Sequence, residues 1–352
     1  MFEDLEAFIK PLDAEAMDKC QLRLDNLTKP LNSLHSFEHL ARQIAGITGD
    51  PRPKILKKTI VIMAGDHGVN VEETCDYTQE VTVQMISNFC KGAAAINVFA
   101  EHVSADLILV DIGVASDLSA FPQIRHEKLA YGTRNITQNS AMTREQAIQA
   151  IEVGIKIAQE EIEKGVKVIG LGAIGSNAIS SSTIIACYNP ENLDDLTLKD
   201  KIQLVKIALE VNYPDNNDPL DVLSKVGGLE IAGLVGVILG AASGRGAVVL
   251  DGLATGVAAL IAVKLAPRVK DYLIGSHFSA EPFHKIVLEM LGIPAFLHLD
   301  MSLGNGTGAT LGMSLINASL HVLNDMKTFG EAEVAVAQDG PGALKQNKAI
   351  RD

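Results

Sequence analysis

The sequence predicts an α/β protein whose large domain contains a parallel sheet flanked by helices, together with a smaller helical domain. Short apolar runs alternate along the chain with amphipathic stretches of helical periodicity. Each apolar run ends in a turn that contains Gly, Asp or Ser. Strands that alternate with helices in this way form parallel sheets with both faces covered.

Six runs along the chain have the length and composition of strands. Buried strands are predicted at residues 59–64, 105–110, 166–171, 247–250 and 271–274, with a weaker one at 293–299. The first 55 residues and the last 30 contain no strand pattern. We therefore assign residues 1–55 and 323–352 to the small helical domain, and residues 56–322 to the large α/β domain.

The helical stretches carry recognisable end signals. Residues 143–163 are amphipathic, and Thr143 with Gln146 three residues later forms the pattern of a capping box. Residues 190–198 and 213–219 are polar and predict loops within the large domain.

A long uncharged run lies at residues 231–244. It is too short and too rich in glycine to cross a bilayer, so it predicts a buried helix. Gly233, Gly236 and Gly240 recur near helical spacing, which would allow another helix to approach closely.

Composition excludes several classes of partner. With 352 residues and 47% apolar content, the chain can bury a large core. A net charge of −13 without a cluster of basic residues argues against nucleic-acid binding. The acidic N-terminus does not resemble a signal peptide, and the four scattered cysteines fit reduced thiols, so a cytoplasmic location is expected. We predict neither a metal nor a cofactor.

The segment from residue 300 to 311 is the most informative of the chain. Gly304, Gly306 and Gly308 alternate with short polar side chains before a helical pattern resumes. Glycines in such a turn permit positive φ and expose backbone N–H groups at the start of a helix. The segment therefore predicts a nest for an anion or a small planar molecule, although a plain strand-to-helix connector has the same local pattern.

Two other loops suggest chemistry less directly. Asp66 and His67 follow the first strand as a possible acid/base pair or ligand pair, but we favour a structural role in which Asp66 holds a loop or a helix N-terminus. Residues 170–175 match G-x-G-x-x-G after a strand, yet the acidic residues at 194 and 195 follow a polar loop instead of a strand, which disfavours nicotinamide binding.

The loop after the strand at 271–274 combines hydroxyls, an imidazole and a carboxylate. A Ser-His-acid triad is one interpretation of this loop, which contains Ser276, His277, Ser279 and Glu281. No G-x-S-x-G turn is present in the sequence, which argues against it. We favour a polar loop that binds phosphate or ribose. His284 is expected on the surface of the following helix.

Eleven segments of the chain, taken in order, carry a resemblance to a known family. They are Leu27–Pro30, Ala64–Val69, Gln79–Met85, Lys91–Val98, Val110–Val114, Ala141–Ala147, Asp218–Leu223, Gly227–Ala232, Leu250–Gly252, Tyr272–His277 and Leu303–Ala309. Together they resemble the nicotinate-nucleotide:dimethylbenzimidazole phosphoribosyltransferases of cobamide synthesis, and the resemblance runs from about Leu27 to Phe329.

The resemblance implies a dimeric α/β enzyme with a Rossmann-like sheet that moves phosphoribose from nicotinate mononucleotide to an aromatic lower-ligand base. It implies a base pocket formed by Tyr77, Met85, Ile174 and Leu303. The positions it implies for nucleotide binding are Gly172, Gly175, Lys201, Asp251, Ser276, Ser279, Gly304, Gly306 and Gly308. Among them, Lys201 would supply a cation for the phosphate.

Several positions depart from the family pattern. The family's proton-accepting glutamate between the first two glycines of the turn is Asn305 here, and a second family glutamate aligns with Ala173. The family's Ile-Gly-Asn-Thr-Thr becomes residues 176–180, an arginine becomes Ser302, and the early Pro-Pro-Gly-Ser-Leu-Gly becomes residues 30–35. An amide has no useful basicity near neutral pH, so general-base catalysis at position 305 should be lost.

Three hypotheses follow from these departures. We favour a weakly active or silent subunit that supports an active homologous subunit, an arrangement that resembles the phenol-activating branch of the family. The second hypothesis is an active variant with an unusual base such as p-cresol. The sequence leaves open whether another carboxylate, for example Glu80 or Glu281, takes over proton acceptance. The third is a protein that binds the nucleotide or base without turnover.

Overall fold

The computed structural model describes residues 5–54, 56–72, 80–193 and 199–351. Within them the strands are β1 (Lys57–Gly65), β2 (Ala105–Gly113), β3 (Arg125–His126), β4 (Val166–Ile174), β5 (Ala247–Val249), β6 (Leu273–Ile274), β7 (His277–Phe278) and β8 (Leu297–His298). The α-helices are α1 (Leu5–Phe8), α2 (Ala14–Asn26), α3 (Ser36–Thr48), α4 (Glu80–Cys90), α5 (Ala95–His102), α6 (Arg144–Glu163), α7 (Ala178–Tyr188), α8 (Lys199–Asn212), α9 (Pro219–Val226), α10 (Leu229–Ser243), α11 (Leu253–Leu265), α12 (His284–Leu291), α13 (Thr307–Asp325), α14 (Phe329–Ala332) and α15 (Gly340–Lys345).

The main sheet confirms the predicted fold class. Among the described residues it has six parallel strands in the order β3-β2-β1-β4-β5-β6, which is the Rossmann order. Val61 of β1 pairs with Ile108 on one side and with Leu171 on the other. Because β1 and β4 are neighbours at the point where strand order reverses, a ligand crevice is expected beyond their carboxyl ends.

All five of the stronger strand predictions lie on strands of this sheet, with some changes of length. The segment 271–274 is extended only at β6, because a 3₁₀ helix occupies Pro267–Tyr272. The segment 293–299 is wrong as a sheet strand, since only β8 is extended and it pairs with β7 in a separate two-stranded sheet. The two-residue strand β3 was not predicted.

The uncharged run forms the buried helix α10, as expected. Gly236 packs against the backbone carbonyl of Ile151 on α6, where any Cβ would overlap that oxygen. Gly154 of α6 meets the carbonyl of Gly233 in the same way. The predicted close approach of another helix is therefore confirmed for the pair α6 and α10.

The predicted capping box at the start of α6 is also confirmed. The Thr143 hydroxyl accepts from the N–H of Gln146 at 3.1 Å, and the Gln146 side chain accepts from the N–H of Thr143 at 2.9 Å.

The N-terminal and C-terminal segments contact each other. Leu27 and Thr328 form an antiparallel bridge, and the Arg23 side chain donates to the carbonyl of Leu323 at 2.9 Å. A separate apolar cluster joins α2, α3 and the end of α13: Cys20, Leu24, Leu27, Ala41, Ala45 and Leu323. Helix α13 crosses the predicted boundary at residue 323 without interruption, and the division into two domains stays a prediction.

Candidate active site

Two adjoining cavities lie beyond the carboxyl ends of β4 and β5. The smaller, of about 90 Å³, is lined by Ala173, Gly175, Asn177, Asp251, Gly252, Leu253, Ala254, Thr255, Glu281, Leu303, Gly304 and Asn305. The larger, of about 210 Å³, is lined by Ala178, Ile179, Ser182, Lys201, Ile202, Val205, Leu253, Glu281, Pro282 and Phe283. Leu253 and Glu281 line both, so we call the two cavities together the cleft.

The cleft brings together part of the predicted nucleotide set. Gly175, Asp251 and Gly304 line the smaller cavity, and Lys201 lines the larger one. The Ser279 hydroxyl reaches the cleft through Glu281, to which it donates at 3.0 Å. These residues come from separate stretches of the chain, and the fold brings them together beyond the carboxyl ends of the strands.

The glycine turn is built differently from the predicted open nest. Gly304, Asn305 and Gly306 have φ of 71°, 61° and 88°, three successive residues in the left-handed region. The N–H groups of Gly306 and Gly308 donate to the Asp251 carboxylate at 2.8 and 2.7 Å. The nest is therefore filled by a carboxylate of the chain itself, and those two amides are not available to a ligand.

This arrangement gives Asp251 a structural role, and its contact with the nucleotide stays a prediction. Its side chain is buried beneath the turn, so it holds the turn in place from below. Burial raises the pKa of Asp251 to about 6, although the N–H groups of Gly306 and Gly308 oppose the shift.

Gly172 and Gly175 allow the backbone of neighbouring segments to pack closely against β4. A Cβ at Gly172 would lie 2.7 Å from the carbonyl carbon of Asn305 and from the nitrogen of Gly306. Gly175 has a φ of 140°, and a Cβ there would overlap the carbonyl oxygen of Gly65 across the reversal point of the sheet. Glycine at these positions lets the turn and β1 approach β4.

The ligand-binding role of Ser276 stays a prediction. This residue is buried, and its hydroxyl donates to the carbonyl of Leu250 at 2.6 Å, with the ring of His277 3.0 Å away. A hydroxyl engaged in this way is unsuited to act as a nucleophile. The prediction for His284 was wrong, because its ring is buried and accepts from the N–H of Ser279 at 2.9 Å.

Glu281 lines both cavities of the cleft, although the sequence suggested it only as an alternative proton acceptor. Its carboxylate accepts from the N–H of Leu253 at 3.0 Å, which caps α11 because Gly252 has no side chain to do so. Burial raises the pKa of the Glu281 carboxyl. Spacing in the sequence gives no sign that residue 281 reaches the turn at 304.

The four predicted base-pocket residues are not all at the cleft. Leu303 lines it and is 53% exposed. Ile174 is buried in the core, and Met85 packs against the core from α4. Tyr77 lies outside the described residues. The aromatic cage therefore stays a prediction, with Leu303 as its one member seen at the cleft within the described part of the chain.

Asp66 has the structural role that the sequence favoured. Its carboxylate accepts from the Thr82 hydroxyl near the start of α4 at 2.7 Å, and from the N–H of Ala115 at 2.8 Å. His67 is fully buried, with its ring nitrogens 2.8 Å from the Ser180 hydroxyl and 2.7 Å from the Glu230 carboxylate. Asp66 therefore fixes the loop after β1.

No group of three or more His, Cys, Asp or Glu side chains among the described residues could hold a metal ion. Within the same residues, no helix is both long and apolar enough to cross a membrane.

Comparison with known proteins identifies the family. A family model described as a phosphoribosyltransferase matches residues 9–334. The chain is 46% identical over 343 residues to the nicotinate-nucleotide–dimethylbenzimidazole phosphoribosyltransferase of Dehalococcoides mccartyi, a match that covers 94% of this chain and 97% of the relative. It is 47% identical over 338 residues to the same enzyme of Chloroflexus aggregans, covering 93% and 96%.

A solved structure agrees. The crystal structure of this phosphoribosyltransferase from Thermus thermophilus superposes with a TM-score of 0.87 at 36% identity, covering 92% of this chain and 99% of that chain. The chain belongs to this phosphoribosyltransferase family.

Proposed function

We propose that this chain binds nicotinate mononucleotide and an aromatic lower-ligand base at the cleft, and that it is weakly active or silent alone and supports an active homologous subunit. The observation that carries the proposal is the position of Ala173 and Asn305. The resemblance to the family implies a glutamate at each of these positions, and both residues line the smaller cavity. The substitutions therefore fall within the cleft and not on a remote surface.

The cleft retains features suited to the two ligands. Lys201 in the larger cavity supplies a cation for the phosphate of nicotinate mononucleotide. Leu303 offers an apolar surface beside the glycine turn, on which a flat ring of a phenol or benzimidazole type can pack. Binding can therefore persist where catalysis has been weakened.

The loss of carboxylates explains weak turnover. When a base or a phenol attacks the ribose carbon and nicotinate leaves, the proton of the nucleophile must be accepted. The amide of Asn305 and the methyl of Ala173 cannot accept it. Removal of one general base costs roughly 10²–10⁴ in rate.

The test is an assay of nicotinate release by the purified chain alone, and then mixed with a homologous subunit that retains the glutamate of the turn. We expect little release by the lone chain, a stable complex on size exclusion, and faster release by the complex than by the homologue alone. Full turnover by the lone chain would overturn the silent-subunit proposal. Ligand binding without turnover in either sample would favour a binding protein.

A second candidate function is an active variant in which Glu281 accepts the proton. It is favoured by one observation: this carboxyl lines both cavities, and burial raises its pKa toward the range of a useful base. Glu281→Gln keeps the acceptor that caps α11 but removes the base, so the variant should lose turnover at least a hundredfold while still binding nucleotide. The control is Glu289→Gln, since Glu289 is exposed on the same segment of chain.

A further inference from the structure

Another polar cavity, separate from the cleft, lies at the amino ends of the strands. It has a volume of about 540 Å³, and β1 and β2 begin beside it, whereas the cleft lies where strands end. Its walls come from the segment before β1, the end of α5 and the second half of α13. The lining residues are Arg52, Lys54, Lys58, His102, Val103, Ser104, Asn317, Leu320, His321, Asn324 and Asp325.

Lys58 is the unusual member of this lining. Its side chain is buried, with the residue only 5% exposed, although it carries an ammonium group. The ammonium donates to two neutral oxygens, the carbonyl of Leu56 at 3.1 Å and Oδ1 of Asn317 at 3.3 Å. It forms no ion pair with any carboxylate of the described residues. Burial lowers the pKa of Lys58, as expected for a charge without a counter-ion.

The rest of the lining adds positive charge. Arg52 and Lys54 approach from the segment before β1. The carboxylate of Asp325 is already engaged by His321, 2.6 Å away on the same helix. In a chain with a net charge of −13, this cavity is a local concentration of cations.

We propose that this cavity binds the phosphate group of a small phosphorylated metabolite, with the Lys58 ammonium as the central contact. A buried charge is costly unless it is paired, and a bound anion would supply the missing partner. Three cationic side chains converging on one cavity suit a multiply charged oxyanion better than a single carboxylate. The site is distinct from the cleft, because the two lie at opposite ends of β1.

The experiment titrates inorganic phosphate into the full chain by calorimetry at constant ionic strength, with chloride as the reference anion. Lys58→Met keeps most of the length of the side chain and removes its charge, and it should weaken phosphate binding at least tenfold. Lys57→Met is the matched control, because Lys57 is the adjacent residue and is exposed. It should leave binding unchanged.

Phosphate could also enter the cleft through Lys201, so Lys201→Met separates the two sites. Phosphate binding that survives in Lys201→Met and is lost in Lys58→Met supports the proposal. Binding that is lost in Lys201→Met and kept in Lys58→Met, or no binding to the native chain, overturns it. Asn317→Asp is an independent check, since it places a carboxylate beside the ammonium and should compete with phosphate while raising the melting temperature in phosphate-free buffer.

Discussion

Nε2 of His67 lies 2.7 Å from Oε1 of Glu230, and both side chains are fully buried. The contact joins the loop after β1 to the first turn of α10, and Ser180 extends it to α7. Burial lowers the pKa of His67, but the Glu230 carboxylate outweighs that effect and the net pKa is raised. The pair therefore holds three segments together: the loop after β1, α7 and α10.

Glu230→Gln should destabilise the protein by about 3–5 kcal/mol, because it removes one partner of a buried ion pair. The raised pKa of His67 means that its stabilising effect is complete below the unfolded pKa and is lost as pH rises through the folded pKa. Urea unfolding should be measured from below the unfolded pKa of His67 to above its folded pKa. The free energy of unfolding should fall with pH over this range in the native chain and not in the variant. Glu163→Gln on the exposed face of α6 is the control, and an equal slope in Glu230→Gln would contradict the assignment.

Asp251→Asn should change the pH dependence of stability at lower pH than Glu230→Gln does. Because burial raises the folded pKa of Asp251 from 3.8 to about 6, its protonated form is favoured in the folded state. Its contribution to stability therefore falls as pH rises from about 4 to 6. The native chain should lose roughly 3 kcal/mol relative to the variant across this interval. Parallel stability curves for the two proteins would exclude this account.

Gly172→Ala should weaken nicotinate mononucleotide binding about tenfold, because its methyl would push against the backbone of the turn at Asn305 and Gly306. It should also cost about 1–3 kcal/mol of stability. Gly233→Ala is the matched control, since its Cβ would meet the ends of the Ile112 and Met63 side chains. That variant should lose stability but keep its affinity for the nucleotide, as measured by calorimetry.

Asn305→Glu alone should not restore turnover, because Ala173 and the altered residues 176–180 remain. The double variant with Ala173→Glu should raise the rate of nicotinate release by at least tenfold over the native chain. Asn305→Gln has the same side-chain length as glutamate without the carboxylate and should show no gain in either background. Full activity of Asn305→Glu alone would mean that the missing carboxylate at this one position accounts for the weak turnover.

The parts of the fold that could be predicted are those with a local signal. β1 and β4 are continuous apolar runs, which central parallel strands require, so both were predicted. β3 and β7 have two residues each and leave no pattern in the sequence. The contact of Asp251 with the turn joins residues 55 positions apart, and neither segment encodes it locally. The same reason explains why the sequence did not reveal that Glu281 lies at the cleft or that His284 is buried.

The backbone at Asn305 has a further consequence. Its φ of 61° is a conformation that asparagine tolerates better than most side chains, whereas glutamate there would be strained by about 1–2 kcal/mol. The turn is fixed by Asp251 through the amides of its neighbours, so the side chain at 305 is not needed to hold its shape. An asparagine at position 305 therefore fits the backbone of the turn with less strain than a glutamate would, so any gain of a carboxylate there has a cost in stability.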